Sequence, residues 1–293
     1  MQKIRWLIVI FLFIFAIAGK SSSYYLYSSK NEKQAENQIQ GEREFSEFLA
    51  QKKKLSRINK ANTILQRLKF PVENQKVYFW DNGNNNFEKR IEDTIYEITF
   101  EDIKIISKQE EKDLDNDSIF ENYNLENGKL IITENKKTIW QSPGNWWIDD
   151  FVIADSNNDG ILDINLSLWK AGNFGSSKPF WITENEMSVK NHFFVLDFID
   201  NKVKQIWCSS NLSNPNCEFK IADINNDGKN ELIVIEGDYS QRPKYKCNGN
   251  YVAIWKWNNW GFFNEWRSTK GNYINLKIEK NDKGNYIIVD AFQ

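Results

Sequence analysis

The stretch DSNNDGILD, residues 155–163, sets the pattern from which the fold can be derived. Side chains that carry oxygen occupy positions 1, 3, 5 and 9 of this stretch, and a glycine occupies position 6. A second copy, DINNDGKNE, covers residues 223–231, and a third, DLDNDSIFE, covers residues 113–121. Three copies in one register form an internal repeat, which constrains the architecture of the whole chain.

Each acidic loop lies between two apolar segments. FVIAD and FKIAD precede the loops at 155 and 223, and DINLSLW and ELIVIEG follow them. An outer pair of segments comes next, and all three repeats end in Trp-x-Ser. Apolar residues that alternate with a period of two, between Asn/Asp/Gly turns, indicate antiparallel strands. The sequence therefore predicts four-stranded units, with the acidic loop joining the first strand to the second.

A repeated four-stranded antiparallel unit is typical of a β-propeller, so we predict an all-β fold of about four blades. Residues 274–292 predict two inner strands of a further blade, and residues 77–87 resemble the outer hairpin at 252–262. Pairing of the N- and C-terminal strands would close the ring and cover both edges. An open, partial ring is the alternative.

The N-terminal segment predicts export. Lys3 and Arg5 precede an apolar run over residues 6–18, which is the pattern of a signal peptide, and the run ends in a small-x-small cleavage site at residues 16–18. A retained membrane anchor over residues 1–20 is the alternative. Export to the cell surface or beyond is common to both interpretations.

Residues 21–70 are polar, with apolar residues at steps of three and four that place them on one helical face. We predict a helical stalk or linker here, ended by Pro71, which cannot continue a helix. A helix docked on the folded body is the alternative. Residues 71–293 are assigned to the propeller.

The bulk composition excludes some partners. Lysine and arginine number 38 against 40 acidic residues, without a basic block, so nucleic acid is not an expected partner.

Three cysteines allow at most one internal disulfide bond. Cys208 and Cys217 flank a loop that a bond between them could close; the alternative is that the thiols stay reduced. The one histidine, His192, is expected to be structural, and no catalytic motif occurs, so we predict no enzyme.

The acidic loops suit a hard divalent cation such as Ca²⁺, which takes about six to eight oxygen ligands from a flexible loop. Positions 1, 3, 5 and 9 supply side-chain oxygens, and position 7 supplies its backbone carbonyl. The predicted ligands are Asp155, Asn157, Asp159, Ile161 and Asp163 in the first loop, Asp223, Asn225, Asp227, Lys229 and Glu231 in the second, and Asp113, Asp115, Asp117, Ile119 and Glu121 in the third. Turns whose acidic side chains are merely solvated are the alternative.

The pattern Asp-x-Asn-x-Asp-Gly-x-x-(Asp/Glu)-apolar after an apolar strand resembles the FG-GAP/VCBS repeats of integrin-α-type β-propellers. The resemblance covers about residues 75–293, with two full copies and two weaker ones. It implies loops that bind Ca²⁺ and stiffen the rim, and other loops that contact protein or glycan partners.

The largest departure from the repeat is SLWKAGNFGSSKPFW, residues 167–181. Loops held by a rigid scaffold often carry binding residues, so we predict ligand binding by Trp169, Lys170, Phe174, Lys178 and Trp181. Aromatic residues folded onto the propeller as core are the alternative.

The predicted function is that of an exported or membrane-tethered, calcium-binding adhesion module that binds a protein or a glycan. The alternative is a carbohydrate-active hydrolase or lyase on the same scaffold.

Overall fold

The computed structural model describes residues 33–52, 61–73, 76–77, 91–100, 107–174, 186–199, 202–240, 249–281 and 284–292. Residues 33–52 form helix α1. The strands are β1 (Ala61–Glu73), β2 (Lys76–Val77), β3 (Ile91–Phe100), β4 (Lys108–Lys112), β5 (Glu121–Glu126), β6 (Lys129–Glu134), β7 (Lys137–Gln141), β8 (Trp147–Ala154), β9 (Asp163–Ala171), β10 (Val189–Ile199), β11 (Lys202–Cys208), β12 (Asn216–Ala222), β13 (Glu231–Glu236), β14 (Tyr251–Trp257), β15 (Phe262–Arg267), β16 (Tyr273–Asn281) and β17 (Gly284–Phe292).

The strands form a four-bladed β-propeller, as the repeat predicts. Three blades are antiparallel sheets of consecutive strands, with the orders β4-β5-β6-β7, β11-β10-β9-β8 and β12-β13-β14-β15. In the fourth blade β17 pairs with β16 on one side and with β1 on the other, and β2 and β3 share the outer edge of β1. Strands from the two ends of the chain therefore close the last blade, which confirms the predicted mode of closure.

The helical assignment of residues 61–70 is wrong, because these residues belong to strand β1. Leu68, Phe70 and Val72 alternate at a period of two and are buried in the core of the closing blade. Pro71 is tolerated because it lies between the two pairings on this edge of β1: β3 pairs only as far as Lys69, and β2 pairs only with Val72 and Glu73. The predicted outer hairpin at 77–87 falls almost wholly outside the described residues.

Helix α1 is docked on the propeller, which is the alternative to a free stalk. Phe45 and Phe48 are buried against Trp169 and Val189.

The predicted signal peptide or anchor over residues 1–20 lies outside the described residues. Within the part of the chain that the structure describes, no helix is long and apolar enough to cross a membrane.

Neighbouring blades share cores, because inner strands are covered on both faces. In β13, Leu232 and Val234 pack into the cluster between the second and third blades, which includes Phe193. Ile233 and Ile235 pack on the opposite face, against the closing blade. Burial on both faces explains why residues 232–235 of β13 are all apolar instead of alternating.

The repeated Trp-x-Ser has a structural role in each blade that contains it. Ser142 donates its backbone N–H to the carbonyl of Leu130 (2.9 Å), and its Oγ accepts the Leu130 N–H (3.1 Å). Ser209 makes the same pair of bonds with Phe193, and Ser268 with Val252. The buried serine thus fastens the end of the outermost strand to the third strand of its own blade.

The Cys208–Cys217 bridge is not formed. Cys217 is disulfide-bonded, whereas Sγ of Cys208 donates a hydrogen bond to Oε1 of Gln205 (3.4 Å) and is a thiol. Cys247 lies outside the described residues.

Candidate functional site

The three acidic loops share one backbone conformation on one face of the propeller, at the turns β4–β5, β8–β9 and β12–β13. Positions 4 and 6 have positive φ in every copy. The values are 59°, 60° and 58° at Asn116, Asn158 and Asn226, and 73°, 89° and 81° at Ser118, Gly160 and Gly228. Asparagine and glycine tolerate this left-handed region best, which explains their places in the motif.

The first and ninth side chains close each loop from within. Asp155 accepts hydrogen bonds from the backbone N–H groups of Asp159 (3.1 Å) and Gly160 (2.9 Å). Asp163, at position 9, accepts the N–H of Ser156 at position 2 (3.1 Å). The corresponding ninth residues, Glu121 and Glu231, accept the N–H of Leu114 (2.9 Å) and Ile224 (3.0 Å). The ninth carboxylates are thus buried inside the loops, and the first ones are half-buried.

The loop at 113 brings four carboxylates together. Ligand oxygens of Asp113, Asp115, Asp117 and Glu121 all lie within 4.8 Å of one another, the one such acidic group in the described part of the chain. Oδ1 of Asp113, Oδ2 of Asp115 and Oε1 of Glu121 are buried without a hydrogen-bond partner. Burial raises the pKa of the Glu121 carboxyl, against the effect of the Leu114 N–H. Clustered, unpartnered carboxylate oxygens fit a hard cation.

The loop at 155 has one similar feature. Asp163 is 1% exposed, and its Oδ1 has no hydrogen-bond partner. Burial raises the pKa of the Asp163 carboxyl to about 7. The amide nitrogen of Asn157 donates to Oδ2 of Asp159 (2.9 Å), so these side chains face each other inside the loop.

A cationic side chain from another strand, Lys256 of β14, reaches the loop at 223. Nζ of Lys256 lies 3.6 Å from Oε1 of Glu231, 3.7 Å from Oδ2 of Asp227 and 3.2 Å from Oε2 of Glu265. Burial raises the pKa of the Glu231 carboxyl to about 7, against the effect of the Ile224 N–H and then the Lys256 charge. Lys256 comes from β14, so no pattern within the loop could have revealed it.

The loops at 155 and 223 also brace each other across two blades. Asn158 accepts the N–H of Asn230 (2.7 Å) and donates its own amide to the Asn230 carbonyl (3.1 Å). The Asn230 amide in turn donates to the carbonyl of Asp155 (2.8 Å). Order in one loop therefore supports order in the next.

Replacing Ser118 by glycine should stabilise the protein by about 0.5–1 kcal/mol, because a left-handed φ is strained for serine and not for glycine. The bond from this N–H to Oδ2 of Asp113 (3.0 Å) would be kept. Gly160→Ala is the matched reverse change: open space surrounds its Cβ position, so its cost of about 1 kcal/mol is purely one of backbone. Urea denaturation measures both, and a destabilising S118G would contradict the shared conformation.

Two of the residues predicted to bind a ligand, Trp169 and Lys170, are buried and make contacts within the protein. Trp169 is 1% exposed, beneath α1. Lys170 is buried, and its Nζ donates to the carbonyls of Gly172 and Phe174, inside its own loop. Burial lowers the pKa of Lys170 to about 8. Lys178 and Trp181 lie outside the described residues.

A polar centre that no sequence pattern predicts lies on the face opposite the acidic loops. Asp149 accepts hydrogen bonds from Nε1 of Trp147 (3.0 Å) and Nε1 of Trp169 (2.5 Å). Nζ of Lys52, from α1, lies 2.7 Å from Oδ1 of the same carboxylate. Lys52 is 97 residues away from Asp149 in the chain and Trp169 is 20 residues away, so only the fold brings them together.

Comparison of the chain with protein-family models and with curated proteins finds no match. The resemblance to FG-GAP/VCBS repeats therefore rests on the motif, and it stays a prediction.

Proposed function

We propose that this protein is an exported β-propeller that binds calcium in its acidic loops and acts as a binding module for a protein or glycan at the cell surface. The observation that carries the proposal is the convergence of Asp113, Asp115, Asp117 and Glu121. Three of their buried oxygens lack a partner, and a bound cation would supply one. The ligand set is all oxygen, with neither histidine nor cysteine, which favours calcium over softer metals.

The three loops are not equivalent in this proposal. The loop at 113 holds the most negative charge and is the first site to fill. The loop at 155 follows, because Oδ1 of Asp163 is also buried without a partner. In the loop at 223 the ammonium group of Lys256 competes with a metal ion for the carboxylates of Asp227 and Glu231.

The cation would act as a brace. Each loop joins the first two strands of a blade, and the loops at 155 and 223 are hydrogen-bonded to each other. A cation in the loop at 155 would therefore also stiffen the loop at 223. A stiff propeller presents its remaining loops to a partner with little loss of conformational entropy on binding.

Calcium at about 100 times its dissociation constant should stabilise the protein by about 2.7 kcal/mol. For a folded body of this size, that corresponds to a rise in melting temperature of about 5–10 °C. Differential scanning calorimetry with calcium and with a chelator measures the shift, and titration calorimetry measures the binding itself. If titration shows no heat of binding and chelation leaves the melting temperature unchanged, the proposal fails.

Asp115→Asn should remove most of this shift, because it deletes one charge while keeping the size of the side chain. Glu126→Gln is the matched control: it removes an exposed charge from the same blade, outside the loop. A shift that persists in D115N and disappears in Asp159→Asn would move the principal site to the loop at 155.

Export, adhesion and the nature of the partner rest on the sequence pattern of residues 1–20 and on the family resemblance, and they remain part of the proposal. Mass spectrometry of the mature N-terminus would distinguish a cleaved signal from a retained anchor. The carbohydrate-active enzyme stays the alternative prediction, to be tested by bond cleavage on a panel of polysaccharides.

A further inference from the structure

Helix α1 contacts the face opposite the acidic loops through residues at the spacing of one helical stripe. Phe45, Phe48, Leu49 and Lys52 occupy positions i, i+3, i+4 and i+7. Phe48 is completely buried, and Phe45 is 8% exposed. This is the anchor spacing by which an amphipathic helix binds in an apolar groove.

The propeller contributes an aromatic slot to this contact. The ring of Phe48 lies 5.3 Å from that of Trp169, and it meets Trp147 edge-on at 6.2 Å. Tyr239 also meets Trp169 edge-on, at 5.9 Å. Val189 completes the buried cluster. Edge-to-face packing fixes the orientation of the incoming ring as well as its burial.

One end of the slot is suited to an ammonium group. Nζ of Lys52 lies 2.7 Å from Oδ1 of Asp149, 5.4 Å from the centre of the Trp169 ring and 5.6 Å from that of Phe48. The indole N–H groups of Trp147 and Trp169 hold the carboxylate in place. The Lys52 and Asp149 side chains are only 14% and 18% exposed, so water screens this pair little.

The edge of the slot selects for a small residue and an acceptor on the helix. Gly41 approaches so closely that a Cβ added there would lie 2.9 Å from the Met187 carbonyl oxygen. One turn further along, Oε2 of Glu44 accepts the N–H of Val189 at the start of β10 (3.1 Å). This hydrogen bond to the backbone at the start of β10 thus sets the helix register.

We propose that this face is a recognition site for an amphipathic helix that carries aromatic residues at i and i+3 and a lysine at i+7, and that α1 occupies it as an intramolecular ligand. A helix of the same chemistry in another protein can displace α1 by mass action. The inference rests on the proposed role as a binding module and names the partner class. It does not involve the acidic loops.

The test measures binding of a fluorescent peptide of residues 33–52 to the full chain by anisotropy. Phe48→Ala removes the central anchor of α1 and vacates the slot without changing the propeller. The peptide should bind this variant at least tenfold more tightly than it binds the unaltered chain, because the tethered competitor, at an effective concentration on the order of mM, is weakened. Peptides with Phe45 and Phe48 both changed to alanine, or with Lys52→Met, should bind at least tenfold more weakly.

A second variant keeps the test decisive if Phe48→Ala unfolds. Lys52→Glu places a carboxylate beside Asp149 and expels α1 by charge, with all its aromatic residues intact. Asp149→Asn, added to either variant, should weaken peptide binding about tenfold. Equal binding to the unaltered chain and to both variants, or binding that ignores Phe45 and Phe48, would overturn the proposal.

Each titration is run with calcium and with a chelator. An intact calcium response without peptide binding overturns the helix site alone, and peptide binding without a calcium response overturns only the proposed cation site. Concentration-dependent dimers of the unaltered chain that the peptide dissociates would support the proposal and identify a second copy as the partner.

Discussion

Replacing Arg67 by methionine should destabilise the protein by about 3–5 kcal/mol, because it leaves a buried carboxylate without its charged partner. Asp290 is 1% exposed, and its oxygens lie 3.0 Å from Nε and 3.5 Å from Nη2 of Arg67. The two residues are directly paired across β1 and β17. The amide of Asn275 also donates to Asp290 (2.8 Å), which places the expected loss at the lower end of this range.

This ion pair joins the first and last strands of the propeller, so its loss acts on ring closure. The melting temperature should fall on the order of 10 °C, at about 2–4 °C per kcal/mol for a body of this size. Calorimetry measures the change, and limited proteolysis should show that β1 becomes accessible before the other blades.

Two variants separate closure from a general loss of charge. Arg43→Met breaks a pair between side chains that are 82% and 59% exposed, and it should change stability by less than about 0.5 kcal/mol. Adding Asp290→Asn to Arg67→Met should recover more than about 1 kcal/mol, because the buried charge then disappears with its partner. Equal effects of Arg67→Met and Arg43→Met would show that the pair does not hold the ring closed.

The repeat made most of the architecture predictable. Each acidic loop encodes a turn with two left-handed positions, and only asparagine, glycine and a few polar residues fit there. Each Trp-x-Ser marks the end of a blade because its serine must bond back to the third strand. These are local requirements, so they leave local patterns in the sequence.

The sequence-based predictions that are wrong, and the contacts that were not predicted, depend on residues far away in the chain. The spacing of three from Leu65 to Leu68 suggested a helix, whereas pairing with β17 makes residues 61–73 a strand. Lys256 reaches the loop at 223 from β14, and Lys52 reaches Asp149 from α1. The residues next to either lysine in the sequence do not indicate which carboxylate it contacts. Trp169 was predicted to bind a ligand from its aromatic, glycine-rich setting, and the contact that buries it comes from the N-terminal helix.

The stability of the protein should depend on the charge state of His192, which is completely buried in β10. Nδ1 of His192 lies 3.3 Å from the carbonyl oxygen of Ser209, and Nε2 has no hydrogen-bond partner. Burial, and then the nearby charge of Lys170, lower the pKa of His192 to about 3. The folded protein therefore keeps a neutral imidazole at a pH where the unfolded chain carries a proton.

The sign of the effect follows from proton linkage. Between the unfolded pKa of about 6.5 and the folded value, the unfolded state binds more protons, so stability is lost as the pH falls. The loss due to His192 should be about 3 kcal/mol between about pH 7.5 and about pH 4.5. Asp163 and Glu231 act in the opposite direction, because their raised pKa values let the folded state bind protons in the same range.

The contribution of His192 is therefore measured as a difference between two chains. Urea denaturation of the unaltered chain and of His192→Gln, each followed from neutral to acidic pH, cancels the carboxylates that both share. The variant should be less stable at neutral pH, where glutamine packs less well, and it should lose about 3 kcal/mol less on acidification. Curves that stay parallel over the whole range would mean that the imidazole becomes protonated inside the folded blade, and that the ammonium group of Lys170 does not keep it neutral.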